Sequence, residues 1–338
     1  MKAMVITRIA PVNDRSLELR ELPIPSPKPS EVRIRVKACG VCHTELDEIE
    51  GRLTPPKLPV VPGHQVVGVV EALGQGVTFH KLGDRVGVAW IFSSCRSCAF
   101  CKKGLENLCP EAKFTGLDKD GGYAEFMSIP ERFAYLIPEC FDDLEAAPLL
   151  CAGVIGYRAL RLSNLEDGGV LGLFGFGASA HIVLPLVKHQ FPNARVFVFT
   201  RPAQTEHQAL AMAMGADWAG DTGDTPPSRL TAAIDFTPVG EPIKAALSVL
   251  EPSGRLVINA IRKETPIPEL DYASHLWKER EIKSVANVTR QDALEFLALA
   301  ATVPIHPSVN PVPLEAANEA LVALKKGMVK GAMVLRIG

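Results

Sequence analysis

The feature that most restricts the fold of this chain is a regular alternation of strand-like and helix-like segments in its second half. The predicted strands are 170–174, 195–200, 233–236 and 255–261, and the predicted helices are 178–190, 204–214 and 243–250. Repeated strand–helix–strand units predict a parallel, doubly wound α/β sheet. At 338 residues the chain is long enough for a second domain.

The first 150 residues have a different texture, with short alternating apolar runs separated by proline and glycine. This pattern predicts short strands and loops, hence a mostly β domain. From residue 144 the pattern predicts a helix through 162, which marks the change between the two textures. A helix after Pro313 and a strand over 332–337 close the chain, and that strand could extend either sheet.

Charge and hydropathy exclude two classes of partner. Lys and Arg number 36 against 38 Asp and Glu, and no basic run occurs, so we expect no nucleic-acid binding. The stretch 168–187 has no charged residue, but its five glycines fit a buried strand, turn and helix better than a membrane span. The apolar N-terminal run is too short for a signal peptide, so we expect a cytoplasmic protein.

Four of the eight cysteines occur within fifteen residues, as Cys95-x2-Cys98-x2-Cys101-x7-Cys109. This spacing favours a tetrahedral zinc ion whose four thiolates leave no place for water, which makes it a structural site. An iron–sulfur cluster and four free thiols are the alternatives. Disulfides are disfavoured because the chain is large and shows no export signal. Cys39 and Cys140 are interpreted as free thiols.

A glycine-rich turn follows the first strand of the second half. Its candidate nucleotide-binding residues are Gly175, Phe176, Gly177 and Ala178. Gly175 would make the tight turn, and Gly177 would let a pyrophosphate approach the helix N-terminus. At the end of the next strand, Thr200 stands where NAD-binding sites place an acid, and Arg201 could pair with a 2′-phosphate. The pattern favours NADP(H) over NAD(H), the alternative being an exposed surface arginine.

Cys42, His64 and Cys151 each lie in a glycine-containing segment, and each alone is a weak signal. Together with the cysteine loop they resemble the zinc-dependent alcohol dehydrogenases of the medium-chain dehydrogenase/reductase superfamily. The resemblance runs along the whole chain. Further motifs that carry it are Gly83-Asp84-Arg85-Val86, Leu150-Cys151-Ala152-Gly153-Val154, the nucleotide turn and Lys325-Lys326-Gly327.

The resemblance implies a GroES-like, mostly β catalytic domain at 1–152 and 288–338, with the structural-zinc loop at 95–109, and a Rossmann domain at 153–287. It assigns a catalytic zinc to Cys42, His64 and Cys151, for a total of two zinc ions per chain. The expected reaction is reversible hydride transfer between a primary or secondary alcohol and NAD(P), through a zinc-bound alkoxide. The substrate would be a small alcohol, aldehyde or ketone.

Further roles follow from the resemblance. Thr44 would take the substrate proton, His43 would face the coenzyme pyrophosphate, and Trp90 would line the substrate pocket. Four positions depart from the family pattern. Gln65 replaces the usual Glu, and Asp47 replaces the usual His. Glu45 replaces a shorter Asp that orients the ligand His, and Ala332 replaces a coenzyme-binding Arg.

Two alternatives stay open at this point. One is a zinc reductase of aldehydes or enones, and the other is a nucleotide-binding sensor without turnover. By analogy with relatives, we expect a homo-oligomer, either a dimer or a tetramer.

Overall fold

The computed structural model describes all residues 1–338, which form two compact units. Unit 1 comprises Met1–Cys151, Asn287–Ala301 and His306–Gly338, and unit 2 comprises Ala152–Ala286 and Thr302–Ile305. The sequence assignment put 302–305 in the first domain, whereas the structure groups them with unit 2. The predicted class, a mostly β part and a part with a parallel α/β sheet, is confirmed.

Most strands in the first part of unit 1 are short, as the proline and glycine punctuation predicts, but the strand Glu31–Val41 has eleven residues. Its strands are β1 (Lys2–Ile6), β2 (Leu17–Glu21), β3 (Glu31–Val41), β4 (Val66–Leu73), β5 (Arg85–Val88), β6 (Ile91–Ser93), β7 (Lys113–Phe114), β8 (Phe126–Pro130) and β9 (Ala134–Leu136). Its helices are α1 (His43–Ile49), α2 (Ala99–Lys102) and α3 (Asp143–Pro148). Single 3-10 turns occur at Val12–Asp14, Glu106–Leu108 and Glu131–Phe133.

Unit 2 alternates strands and helices. Its elements are α4 (Val154–Ser163), β10 (Val170–Phe174), α5 (Ala178–Gln190), β11 (Arg195–Thr200), α6 (Thr205–Ala213), β12 (Trp218–Asp221), β13 (Leu230–Asp235), α7 (Glu241–Val249), β14 (Leu250–Ile258) and β15 (Glu281–Ser284). A π-helical turn spans Tyr272–Leu276. The six strands form one parallel sheet in the order β12-β11-β10-β13-β14-β15. Helices cover such a sheet, so its central strands are buried on both faces, and β10 has no exposed residue.

The chain returns to unit 1 for its last elements. These are α8 (Arg290–Ala300), β16 (Val309–Pro313), a 3-10 turn (Leu314–Ala316), α9 (Ala317–Lys325) and β17 (Ala332–Arg336). The seven-stranded sheet of unit 1 has the order β16-β17-β3-β4-β5-β9, and β8 also pairs with β3. The final strand therefore extends the sheet of unit 1, a choice that the sequence left open. Ala332 is its first residue.

The stretch predicted to be helical over 144–162 is helical along its whole length, but a π-helical segment separates two α-helical parts. The helix α3 starts at a capping box between Asp142 and Glu145 and ends at Pro148, which lacks a backbone N–H. A wider, π-helical turn follows over Leu149–Gly153, and α4 begins at Val154. No helix of the structure has both the length and the apolar character needed to cross a bilayer.

Candidate metal and coenzyme sites

Three predicted ligands from distant parts of unit 1 meet at one point. The ligand atoms of Cys42, His64 and Cys151 all lie within 4.8 Å of one another, and the two sulfur atoms are 3.9 Å apart. Two thiolates bound tetrahedrally to one zinc ion at about 2.3 Å would be about 3.8 Å apart. The three residues therefore fit a zinc ion, and three protein ligands leave one tetrahedral position open.

The backbone around each ligand explains how the side chains converge. Cys42 is the extended residue between β3 and α1. Gly63 precedes His64 with φ +101°, and a Cβ at Gly63 would come within 2.3 Å of the Tyr123 ring, so only glycine fits there. Cys151 lies in the π-helical turn Leu149–Gly153, a type of helix interruption that is frequent at functional sites.

Glu45 orients the ligand histidine. One of its carboxylate oxygens lies 2.6 Å from His64 Nδ1, and the other accepts a hydrogen bond from the Cys42 backbone N–H at 2.8 Å. With Nδ1 engaged, Nε2 is the nitrogen left to bind a metal. A hydrogen bond with Cys151, helped by the His64 imidazole, lowers the pKa of Cys42 well below its usual range, which favours the thiolate that a metal needs.

The other residues predicted for this site occupy different surroundings. Thr44 is buried, and its hydroxyl oxygen lies 3.6 Å from Cys42 Sγ. The Trp90 ring is 6.2 Å from the His64 ring and 4.7 Å from the Phe114 ring, so Trp90 lies beside a metal ligand. His43 is exposed at the first position of α1.

Besides Glu45, two further departures from the family pattern have defined surroundings. Asp47 is buried, and Arg52 Nε donates to its carboxylate at 2.5 Å while Arg52 also donates to Glu50. Gln65 is buried, and a Cβ at Gly40 would come within 2.6 Å of its side-chain oxygen, so Gln65 packs tightly on the end of β3. Asp47 is therefore a carboxylate with a cation beside it.

Sequence reasoning missed Glu48, which lies on α1 close to this site. It is 0% exposed, and neither carboxylate oxygen has a hydrogen-bond partner. Burial, followed by the charge of Glu45, raises the pKa of Glu48 well above its usual range. The buried hydroxyl of Tyr123 also lacks a partner. Glu48 belongs to a short acidic segment, and such a segment is typical of a solvent-exposed helix face. The sequence therefore gives no indication that Glu48 is buried.

The four-cysteine loop also gathers its ligands, with all four sulfur atoms within 4.8 Å of one another. The Cys98 and Cys101 N–H groups donate to the Cys95 and Cys98 sulfur atoms at 3.3 and 3.5 Å, and the Cys95 N–H donates to Cys109 at 3.4 Å. Backbone hydrogen bonds from Ser97 and Cys98 lower the pKa of Cys95 to about 6. These residues fit a single tetrahedral zinc ion. Of the remaining cysteines, Cys39 is a buried free thiol and Cys140 an exposed one.

The glycine turn of unit 2 connects β10 to α5. Gly175 has φ +85°, and Gly177 is the N-cap of α5, with no atom within 4 Å of a Cβ built there. Open space next to the free N–H groups of a thirteen-residue helix fits a pyrophosphate. Phe176 is buried, and its ring contacts the His181 ring edge-on with the ring centroids 4.4 Å apart. Ala178 is exposed in the first turn of α5.

The end of β11 carries no acidic residue. Thr200 is buried, and its hydroxyl oxygen accepts a hydrogen bond from Gln208 Nε2 at 2.9 Å. Gln208 also donates to Asp221 at 2.8 Å, on the neighbouring strand β12. Arg201 is exposed and forms no ion pair with any residue of the chain. The guanidinium is therefore available to an anion.

Comparisons with known proteins agree with this geometry. The family model that describes the alcohol dehydrogenase GroES-like domain matches residues 28–139 of this chain. The chain is 44% identical to a probable alcohol dehydrogenase, AdhA, of Mycobacterium tuberculosis, over 100% of this chain and 97% of that protein. An alcohol dehydrogenase of Geobacillus stearothermophilus is 34% identical over 100% of this chain and 99% of its own length. The crystal structure of an NAD-dependent alcohol dehydrogenase superposes with a TM-score of 0.89 at 26% identity, covering 100% of both chains.

Proposed function

The chain belongs to the zinc-dependent alcohol dehydrogenase family of the medium-chain dehydrogenase/reductase superfamily, and on that premise we propose that it transfers hydride reversibly between a primary or secondary alcohol and NADP(H). The observation that carries the proposal is the convergence of Cys42, His64 and Cys151, with Glu45 holding the imidazole. Two cysteines and one histidine are the zinc ligands known from alcohol dehydrogenase, and this set of three leaves one zinc position open for a substrate oxygen.

The residues around the ligands support separate roles in the proposed reaction. A zinc ion, when bound, supplies Lewis acidity that lowers the pKa of a hydroxyl in the open position. Thr44 is the hydroxyl next to the ligand cysteine, and we assign it the task of accepting the substrate proton. Asp47 lies one helical turn further along α1, and Arg52 donates a hydrogen bond to its carboxylate. Trp90 would form part of the substrate-pocket wall.

The cysteine loop would hold the second zinc ion. Its four sulfur atoms fill a tetrahedral shell, so this ion would organise residues 95–109 and take no part in the reaction.

The coenzyme proposal depends on unit 2. The pyrophosphate would lie at the N-terminus of α5, beside Gly177. His43 is proposed as a coenzyme-binding residue on the family resemblance, and its side chain is exposed. Arg201 supports NADP(H) because an unpaired guanidinium beside a strand end without an acid fits a 2′-phosphate.

The decisive experiment measures initial rates for a panel of alcohols, aldehydes and enones with each coenzyme, together with the zinc content. We expect two zinc ions per chain and alcohol oxidation with NADP⁺. Cys42→Ala should retain one zinc ion and lose turnover, while the exposed thiol variant Cys140→Ala should change neither.

Other outcomes would reject this assignment. Rates confined to aldehyde or enone reduction would favour a reductase. Coenzyme binding without turnover, in protein that carries both zinc ions, would favour a sensor.

A further inference from the structure

A buried ion pair joins the end of β13 to the loop after β14 at the carboxyl edge of the unit 2 sheet. Lys263 Nζ donates to Asp235 Oδ2 at 2.5 Å and to the Thr237 carbonyl at 2.6 Å. Asp235 is the last residue of β13 and is 0% exposed, and Lys263 follows the end of β14. Burying a carboxylate is unfavourable unless a cation pairs with it, so Asp235 holds the ammonium group in one position.

This pair lies next to the nucleotide turn. The Thr237 N–H and hydroxyl donate to the second Asp235 oxygen at 2.9 and 2.7 Å, which satisfies the carboxylate completely. A Cβ at Gly175 would come within 3.0 Å of Thr237 Cγ2, so Thr237 packs against the glycine turn. The ammonium is therefore fixed beside the turn that we assign to the coenzyme.

One donor of Lys263 is not used by the protein. An ammonium has three N–H groups, and the chain accepts two of them. The Lys263 side chain is 15% exposed, which leaves a route from the third N–H to solvent. Because Asp235 neutralises the charge, Lys263 offers an oriented hydrogen bond and little net attraction for a phosphate. A neutral oxygen acceptor suits it best.

The strand order indicates which half of a dinucleotide meets this donor. The order reverses between β10 and β13, and dinucleotides bind across such a switch point, one nucleotide on each side. The adenosine side is that of β11 and β12, where Thr200 and Arg201 lie. Asp235 and Lys263 follow β13 and β14, on the other side.

We propose that Lys263 is a coenzyme-binding residue whose Nζ donates a hydrogen bond to a neutral oxygen, a ribose hydroxyl or the carboxamide, of the nicotinamide nucleoside. Asp235 is the residue that positions it. This inference rests on the proposed NAD(P)-dependent function.

The test compares coenzymes with a fragment that lacks the nicotinamide half. Affinities of the full chain for NADPH and NADH are measured by fluorescence, and those for 2′,5′-ADP by calorimetry. Lys263→Met should weaken NADPH and NADH by the same factor, roughly tenfold, and leave 2′,5′-ADP binding unchanged. The equal factor is expected because Lys263 lies away from the 2′ position.

Two further variants separate binding from folding. Lys263→Met leaves the buried Asp235 carboxylate without its cation. The double variant Lys263→Met with Asp235→Asn removes that uncompensated charge and should still bind the coenzymes more weakly than wild type. Lys188→Met is the matched control, because Lys188 makes a 2.5 Å pair with Asp217 at the opposite, amino edge of the same sheet. This control should bind NADPH normally.

The outcomes are distinguishable. NADPH affinity unchanged in both Lys263 variants would overturn the inference, and so would an equal loss of NADPH and 2′,5′-ADP, which would indicate a collapsed turn. A wild-type protein that binds neither coenzyme would instead reject the proposed function on which the inference depends.

Discussion

In our proposal coenzyme choice depends on Arg201, which directly follows β11 and forms no ion pair. The acid opposite the end of β11, Asp221, accepts a hydrogen bond from Gln208. We expect Arg201→Ala to raise the KM for NADP⁺ by about 10- to 100-fold, the loss typical of a charged hydrogen bond, and to leave the KM for NAD⁺ nearly unchanged. Steady-state kinetics with both coenzymes check this. Arg195→Ala, at the other end of β11, is the control. Equal effects on both coenzymes would contradict the 2′-phosphate assignment.

Glu48 gives a pH dependence whose sign follows from its burial. Its pKa is raised in the folded protein, so between its unfolded pKa and that raised pKa the folded state holds a proton that the unfolded state releases. Its contribution to stability therefore falls as the pH rises. Glu48→Gln cannot ionise, and we expect it to be more stable than wild type by about 1–3 kcal/mol at pH 8, with the difference vanishing near pH 4. Denaturant unfolding at several pH values measures it.

Glu50, on the same segment, is a control because its pKa is shifted in the opposite direction. Although burial opposes it, hydrogen bonds from Lys325, the Val12 N–H and Arg52 lower the pKa of Glu50 to about 2. Its stabilisation is present above the unfolded pKa and is lost as the pH falls toward 2. Glu50→Gln should therefore be less stable than wild type at pH 7 and similar to it near pH 2. Parallel pH profiles for the two variants would contradict both assignments.

The strand–turn–helix of β10 and α5 leads to a prediction at the scale of an element. A Cβ at Gly177 touches nothing in the protein, and Gly177 does not have a positive φ, so Gly177→Ala should fold with an unchanged Tm. If the pyrophosphate occupies that space, the same methyl group should weaken NADPH binding by tenfold or more. Fluorescence titration and thermal unfolding measure the two effects separately.

Gly223→Ala is the matched control, because it also adds a Cβ to open space but lies beyond β12. Normal NADPH affinity in Gly177→Ala would place the pyrophosphate elsewhere.

For the whole molecule, the edge of the unit 2 sheet supports the proposal that the protein is a homo-oligomer. The strand β15 pairs with β14 on one side only, and all its residues are exposed. Close to it in sequence, Tyr272 and Trp277 are 61% and 56% exposed and contact each other. An open strand edge with exposed aromatic residues is a surface that a second copy can cover.

Light scattering after size-exclusion chromatography tests this proposal. We expect the mass of a dimer or a tetramer, and Trp277→Glu should shift it toward smaller species. Met328→Glu, at an even more exposed apolar residue of unit 1, should leave the mass unchanged. A wild-type protein with the mass of one chain would contradict the proposal.

The local sequence pattern was sufficient to predict those strands whose burial requires a run of apolar residues. The strands β10, β11, β13 and β14 were predicted because strands buried in a parallel sheet are apolar runs. The strands β12 and β15 were missed, since they are short and lie at the two sheet edges, where fewer residues are buried. The π-helical segment Leu149–Gly153 is not predicted, because apolar periodicity does not distinguish an α-helix from a wider π-helical turn.

By itself, the sequence determined the alternating sheet and the four-cysteine loop, because spacing within a short segment limits what nearby side chains can reach. The family resemblance, not local spacing, identified Cys42, His64 and Cys151 as candidate ligands. Only the tertiary structure decided that Cys42, His64 and Cys151 meet, that Glu48 is buried without a partner and that Lys263 pairs with Asp235. These contacts join residues far apart in the chain or depend on burial. Distance and desolvation are properties of the packed chain, and neither is encoded in local spacing.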